Sequence, residues 1–133
     1  MICVDTTFLV DLWRAKDDPG SPAGTLLARY PGEDFAVPAH AAGEFLEGGA
    51  AISTERLAES LAFLRLFRIG EVGVETAARY ARIVTKLRGD SALIGRSKPD
   101  LWIAAWAVQH GAPLATRNTR HFGEIPSLAL MSY

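Results

Sequence analysis

Cysteine is almost absent from this 133-residue chain, Cys3 being the only one. A disulfide-stapled secreted scaffold is therefore excluded, and a thiolate zinc site with it. Histidine is scarce too, and His40, His110 and His121 lack the paired spacing of a zinc ligand set. No apolar run approaches the ~20 residues that a membrane span requires, so no membrane association is expected. No basic, then apolar, leader precedes the first strand-like stretch, which makes the cytoplasm the expected compartment. A charge excess is also missing. The net charge of −1 excludes a molecule that attracts nucleic acid through overall basicity. Internal repeats and low-complexity tracts are absent, which leaves neither a solenoid nor a linker to place.

What remains is ordinary globular material, 49% hydrophobic and 22% charged, of a length that forms one domain over residues 1–133. The opening stretch organises it. Ile2-Cys3-Val4 runs straight into Asp5-Thr6-Thr7, and Phe8, Leu9, Leu12 and Trp13 follow at helical spacing. This reads as a buried strand over 2–5 whose carboxylate caps a helix extending to about Lys16. Cys3 is then a small buried hydrophobe.

Further along, a turn over 17–22 leads to a short helix over 23–30, a strand over 35–37 and a helix over 39–48 that Gly48-Gly49 is expected to stop. A helix with Leu57, Leu61, Leu64 and Phe67 on one stripe follows, then a minimal strand over 68–72. Val74, Ala77, Ala78, Ala81, Val84 and Leu87 predict the apolar face of an amphipathic helix ending at Gly89. Pro99-Asp100 opens a helix to Gln109 that is apolar almost all round, and strands are expected over 113–116 and 128–131. Strands alternating with helices predict an α/β fold with a parallel sheet covered on both faces.

Three acids fall where such a fold places chemistry. Asp5 ends the first strand, Asp100 opens the buried helix, and Glu44 lies among Ala41, Ala42, Gly43 and Phe45. Asn118 follows the strand ending at Thr116, at the same edge of the sheet. Each alone is explained by a cap, a first-turn acid, a solvent-facing residue or a turn. Together, carboxylates without compensating bases repel one another unless a cation neutralises them, and hard oxygen donors select Mg2+ or Mn2+.

At these residues the sequence resembles a known family. Val4-Asp5-Thr6-Thr7-Phe8-Leu9, Gly43-Glu44-Phe45, Pro99-Asp100-Leu101-Trp102-Ile103-Ala104-Ala105 and Leu114-Ala115-Thr116-Arg117-Asn118 are similar, in the same order, to the motifs of PIN-domain ribonucleases of the VapC toxin type. The resemblance runs from about residue 2 to residue 125. It implies a three-layer α/β/α sandwich around a parallel sheet of four to five strands and an endoribonuclease dependent on Mg2+ or Mn2+. It also implies an RNA substrate, a cognate VapB-type antitoxin and a homodimer. Asp5, Glu44 and Asp100 match the family's acidic triad, the implied metal ligands. Thr7 and Thr116 match supporting hydroxyls. Asn118 stands where many members carry a fourth acid; an amide oxygen still ligates or orients a water but adds no charge.

Other residues fall around this set. Residues 86–121 carry six basic groups against two acidic ones, a local +4 against −5 for the remainder. Arg96, Lys98, Arg117 and Arg120 within it are the expected contacts to RNA phosphates. His121 reaches the site region through the Asn118 loop, and Glu47 and Asp11 are expected to face solvent or a partner. Trp13 and Phe67 mark a face for a partner helix or a second subunit. Two alternatives stand beside this reading. A catalytically silent PIN-like module that binds RNA or protein fits the missing fourth acid. A phosphoacceptor of the receiver or haloacid-phosphatase type fits poorly, because Thr7 occupies the position where the phosphatase pattern has a second aspartate.

Overall fold

The structure, a computed structural model, describes residues 1–133. Its strands are β1 (Ile2–Val4), β2 (Phe35–Pro38), β3 (Arg68–Gly70), β4 (Leu114–Ala115) and β5 (Leu130–Met131). They form a single sheet in the order β3-β2-β1-β4-β5, every pair parallel. β1, β2 and β4 are buried throughout, which is why their sequences are unbroken apolar runs rather than alternating ones.

The helices are α1 (Thr6–Ala15), α2 (Pro22–Arg29), α3 (Ala39–Ala50), α4 (Thr54–Leu64), α5 (Val74–Gly89), α6 (Lys98–Gln109) and the four-residue α7 (Thr119–Phe122). From β1 the chain steps outward to β2 and β3, then crosses back to β4 on the other side of β1. Right-handed crossovers therefore put α1 to α4 on one face and α5 to α7 on the other. The packing agrees: α1 meets α2 and α3, and α3 meets α4, whereas α6 packs on α5 and α7. The expected α/β/α sandwich with five parallel strands is the observed fold. The chain reverses its progress between β1 and β4, and open α/β sheets bind ligands at the carboxyl end of such a switch point.

Several local expectations are corrected by packing. Gly48-Gly49 does not stop α3, which continues to Ala50. Gly49 is buried instead at the α3–α4 crossing, where an added Cβ would lie 2.5 Å from Ser60 Oγ. β3 is shorter than expected and ends at Gly70, whose missing side chain admits Trp106; a Cβ there would sit 2.2 Å from Trp106 Cζ2. The buried face of α5 is rotated from the expected one. Thr76, Ile83 and Leu87 are buried, while Val74, Ala78 and Ala81 are exposed. Thr76 tolerates burial because its hydroxyl donates to Gln109 of α6. Phe67 belongs to the core, so it offers no partner surface. Exposed instead on and beside α4 are Leu61, Leu66 and Ile52. α6, expected to be buried on most sides, is buried from Ile103 to Ala107 but carries Trp102 half-buried, stacked on Tyr80 of α5 at 4.3 Å.

Candidate active site

The site is built outward from Asp5. Extended backbone at Asp5 (φ −92°, ψ 176°) ends β1 and starts α1, and the carboxylate accepts from the Phe8 amide at 2.8 Å through Oδ1. That is an N-cap, as expected. Its other oxygen, Oδ2, accepts from the Thr116 hydroxyl at 2.7 Å, across the junction between β1 and β4. Asp5 is only 2% exposed and Thr116 is fully buried. Thr116 Oγ1 also accepts from the Asn118 amide at 2.9 Å, which folds the chain after β4 back over the site. The Asn118 side chain donates to Thr7 Oγ1 at 3.1 Å, leaving its Oδ1 as the uncommitted atom. Thr7, Thr116 and Asn118 thus meet Asp5 or one another, through a network spanning both sides of the switch point.

Asp100 arrives from the opposite layer. Ser97 caps α6 by accepting from the Asp100 amide at 3.3 Å, and Asp100 Oδ2 meets His121 Nδ1 at 3.0 Å. Glu44 projects from α3 and is exposed at the rim. The two helices are linked there by His40, whose Nε2 lies 3.1 Å from the Pro99 carbonyl oxygen.

The electrostatics join the three acids. Burial pushes the Asp5 carboxyl above the usual aspartate range; the Thr116 and Phe8 hydrogen bonds oppose the shift, and Asp100 and Asp11 add repulsion. Glu44 is raised chiefly by partial loss of hydration, with Asp100 and Glu47 adding repulsion and His40 and Thr6 opposing it. Asp100 therefore acts on both of the others. No group of three acidic, histidine or cysteine side chains converges tightly enough to ligate one ion outright. Asp5 is held by its two donors, Asp100 by His121, and Glu44 stands out at the rim. The donor set still suits a hard cation. Mg2+ keeps several waters and takes one or two carboxylates. Thr6 Oγ1 is buried beside Glu44 without a hydrogen bond of regular geometry.

The basic residues divide. Arg117 pairs with Asp11 at 3.1 Å while staying exposed, and Asp11 also accepts from the Tyr133 hydroxyl at 2.9 Å. Lys98 and Arg120 are exposed and form no ion pair. Arg96 departs from expectation: its guanidinium is turned inward, bonded to two backbone carbonyls, and only 9% of the side chain is exposed. Glu47 is exposed. Sequence reasoning missed the partner of Asp100, because His121 is far from it in the chain and α7 leaves no periodic signature. It also missed Ser97, although Ser97-x-x-Asp100 has the spacing of a helix cap.

Comparison with known proteins follows the same lines. The PIN domain profile matches residues 2–128. A Ribonuclease VapC from Rickettsia bellii is 37% identical over 67 residues, which cover 50% of this chain and 48% of that protein. Ribonuclease VapC1 from Rickettsia felis is 29% identical over 136 aligned residues, covering 98% of this chain and 95% of its own. The crystal structure of VapBC2 from Rickettsia felis, bound to a DNA fragment from its promoter, superposes with a TM-score of 0.80 at 25% identity, covering 100% of this chain and 99% of that one.

Proposed function

The chain belongs to the PIN domain family, and from that premise we propose that it is an endoribonuclease toxin, dependent on a divalent metal and neutralised by a cognate antitoxin. The observation that carries this reading is the buried Asp5 at the β1–β4 switch point, electrostatically joined to Asp100, which acts in turn on Glu44. Asp5, Asp100 and Glu44 would hold Mg2+ or Mn2+, with Asn118 Oδ1 as an uncharged addition. When bound, such an ion acidifies the attacking water and neutralises charge on the phosphodiester.

The chain's own residues supply the rest. Thr116 and the Phe8 amide fix the Asp5 carboxylate, so one rotamer is presented. His121 does the same for one oxygen of Asp100, leaving the other free. Glu44, exposed at the rim, would reach the metal and its water from the α3 side. Lys98 and Arg120, free of ion pairs at the mouth, bind the phosphates that flank the scissile bond. Thr7 and Asn118 hold the loop after β4 against α1 and so keep this mouth in shape.

The antitoxin belongs on the α1–α4 face. A cavity of about 570 Å3 between α1, α2 and α4 is lined by Leu12, Trp13, Leu27, Phe63 and Leu66. It adjoins a second cavity that reaches Thr6 and Glu44, with Trp13 and Arg56 lining both. An amphipathic partner helix seated there runs towards the catalytic acids, which fits an inhibitor. The solved Rickettsia felis neighbour is a VapBC complex. We assign the homodimer to the same biological unit.

The test is cleavage of an RNA oligonucleotide by the purified chain, with metal supplied or chelated, beside Asp100→Asn. Cleavage that stops with chelator and in the variant, while the variant keeps its wild-type fold by circular dichroism, is the expected result. Undiminished cleavage by Asp100→Asn, or cutting in the presence of chelator, overturns the mechanism.

A further inference from the structure

We infer that Arg96 is a positioning residue, which sets Asp100 in its working orientation by holding the backbone of His121, and that it is not a contact to RNA. The inference rests on the nuclease reading for its consequence in catalysis, but its geometry stands alone. Arg96 lies in the segment between α5 and α6, one residue before the Ser97 cap and four before Asp100. Its Nε donates to the Ala92 carbonyl at 2.7 Å, which curls the segment on itself. Its Nη1 donates to the His121 carbonyl at 2.8 Å, and Nη2 approaches Glu124 at 3.8 Å. A rigid guanidinium fork thus spans from the approach to α6 across to α7. With the side chain 9% exposed, little of its charge is offered to a ligand.

The consequence falls on His121. Its imidazole is 48% exposed and its one hydrogen-bond partner is Asp100. The ring's hydrogen bond to Asp100 depends on where the His121 backbone sits, so the placement of that backbone decides whether it reaches the carboxylate. α7 has four residues, and its own hold on that backbone is the hydrogen bond from the His121 amide to the Asn118 carbonyl at 3.0 Å. Phe122 and Ile125 anchor the following chain in the core, which keeps α7 attached whatever happens at Arg96. Arg96 adds the constraint at the carbonyl side, on the residue that grips the Asp100 carboxylate. Carboxylates that ligate metals depend on such outer hydrogen bonds, and losing one typically costs about 10- to 100-fold in affinity or activity.

The experiment uses the full chain and the variants Arg96→Met, Arg96→Lys and Asp100→Asn. First, the His121 ring resonances are recorded by NMR in the metal-free protein. They are expected to move in Arg96→Met and Arg96→Lys towards their positions in Asp100→Asn; ring signals that stay at wild-type positions overturn the inference. Second, cleavage kinetics are measured across a salt series. Both Arg96 variants are expected to lose about 10-fold in kcat, with KM for RNA and the salt slope unchanged. A raised KM in Arg96→Met that Arg96→Lys restores would make Arg96 a phosphate contact and overturn the inference. A lowered melting temperature with unchanged ring signals and unchanged kcat would make Arg96 a brace only and overturn it equally. If the wild-type chain cuts no RNA, the nuclease reading fails, while the ring resonances still judge Arg96.

Discussion

Asp5 is at once a helix cap, a buried charge and the centre of an acidic site, and these roles oppose one another. Its carboxyl and that of Glu44 are raised above their ordinary ranges, chiefly by loss of hydration. In the window between the ordinary carboxylate pKa and the raised native one, the folded chain holds more protons than the unfolded chain. Stability therefore falls as pH rises through that window and is greatest below it. Asp5→Asn removes the buried charge, while the side-chain oxygen still accepts from the Phe8 amide. Its melting temperature is expected to exceed that of wild type at neutral pH, the difference shrinking as pH falls below the carboxylate range. A variant that melts lower at every pH contradicts this account of the charge. Saturating Mg2+ or Mn2+ is expected to raise the melting temperature of wild type more than that of Asp5→Asn. At the mouth, Lys98→Ala and Arg120→Ala should each raise KM for RNA and reduce the slope of log affinity against log salt by roughly one, kcat being kept. An unaltered slope in both would remove them from the RNA path.

At the scale of the element, helices were legible in the sequence where caps and periodicity agreed. Asp5 before Thr6 and Ser53 before Thr54 accept from the first turns they precede, and each helix begins there, whereas the caps Ser21 and Ser97 emerged only in the structure. Gly49 was read as part of a helix stop and Gly70 as a residue within a minimal strand, and packing had another use for both. Gly49 lets α3 and α4 approach, and Gly70 lets the Trp106 indole lie across β3 and donate to the Glu71 carbonyl at 3.0 Å. Gly70→Ala should therefore destabilise by about 1–3 kcal/mol, measured by urea unfolding, since the added methyl meets the Trp106 ring rather than a flexible chain end. A stability unchanged within error would show that the indole moves freely. The face of α5 was misread because Val74 and the alanines look more apolar than Thr76, and only a partner on α6 makes the burial of a hydroxyl acceptable.

For the molecule as a whole, the layer of α1 to α4 has a second use. Leu66, 73% exposed, and Ile52, 67% exposed, line cavities that lead from Leu27 and Phe63 to Glu44. Large apolar side chains exposed in this way are what the proposed antitoxin would cover. Leu66→Asp should leave folding and RNA cleavage unchanged while weakening capture by the cognate antitoxin by at least about 10-fold, read by calorimetry and by loss of inhibition. Full inhibition of that variant would move the antitoxin to another face. The sequence by itself determined the class of fold, the order of its elements and the identities of the acids, because buried parallel strands, helix caps and carboxylates next to them are local patterns. It also placed Asn118 at the sheet edge where Asp5 lies, since both follow strands, while Thr7 and Thr116 were marked by the family resemblance. Tertiary structure alone decided that Thr116 grips Asp5, that His121 grips Asp100, and that Arg96 is turned inward instead of towards RNA. Those contacts join residues 111, 21 and 25 positions apart, and no local pattern in a chain specifies which distant groups complete one another's hydrogen bonds.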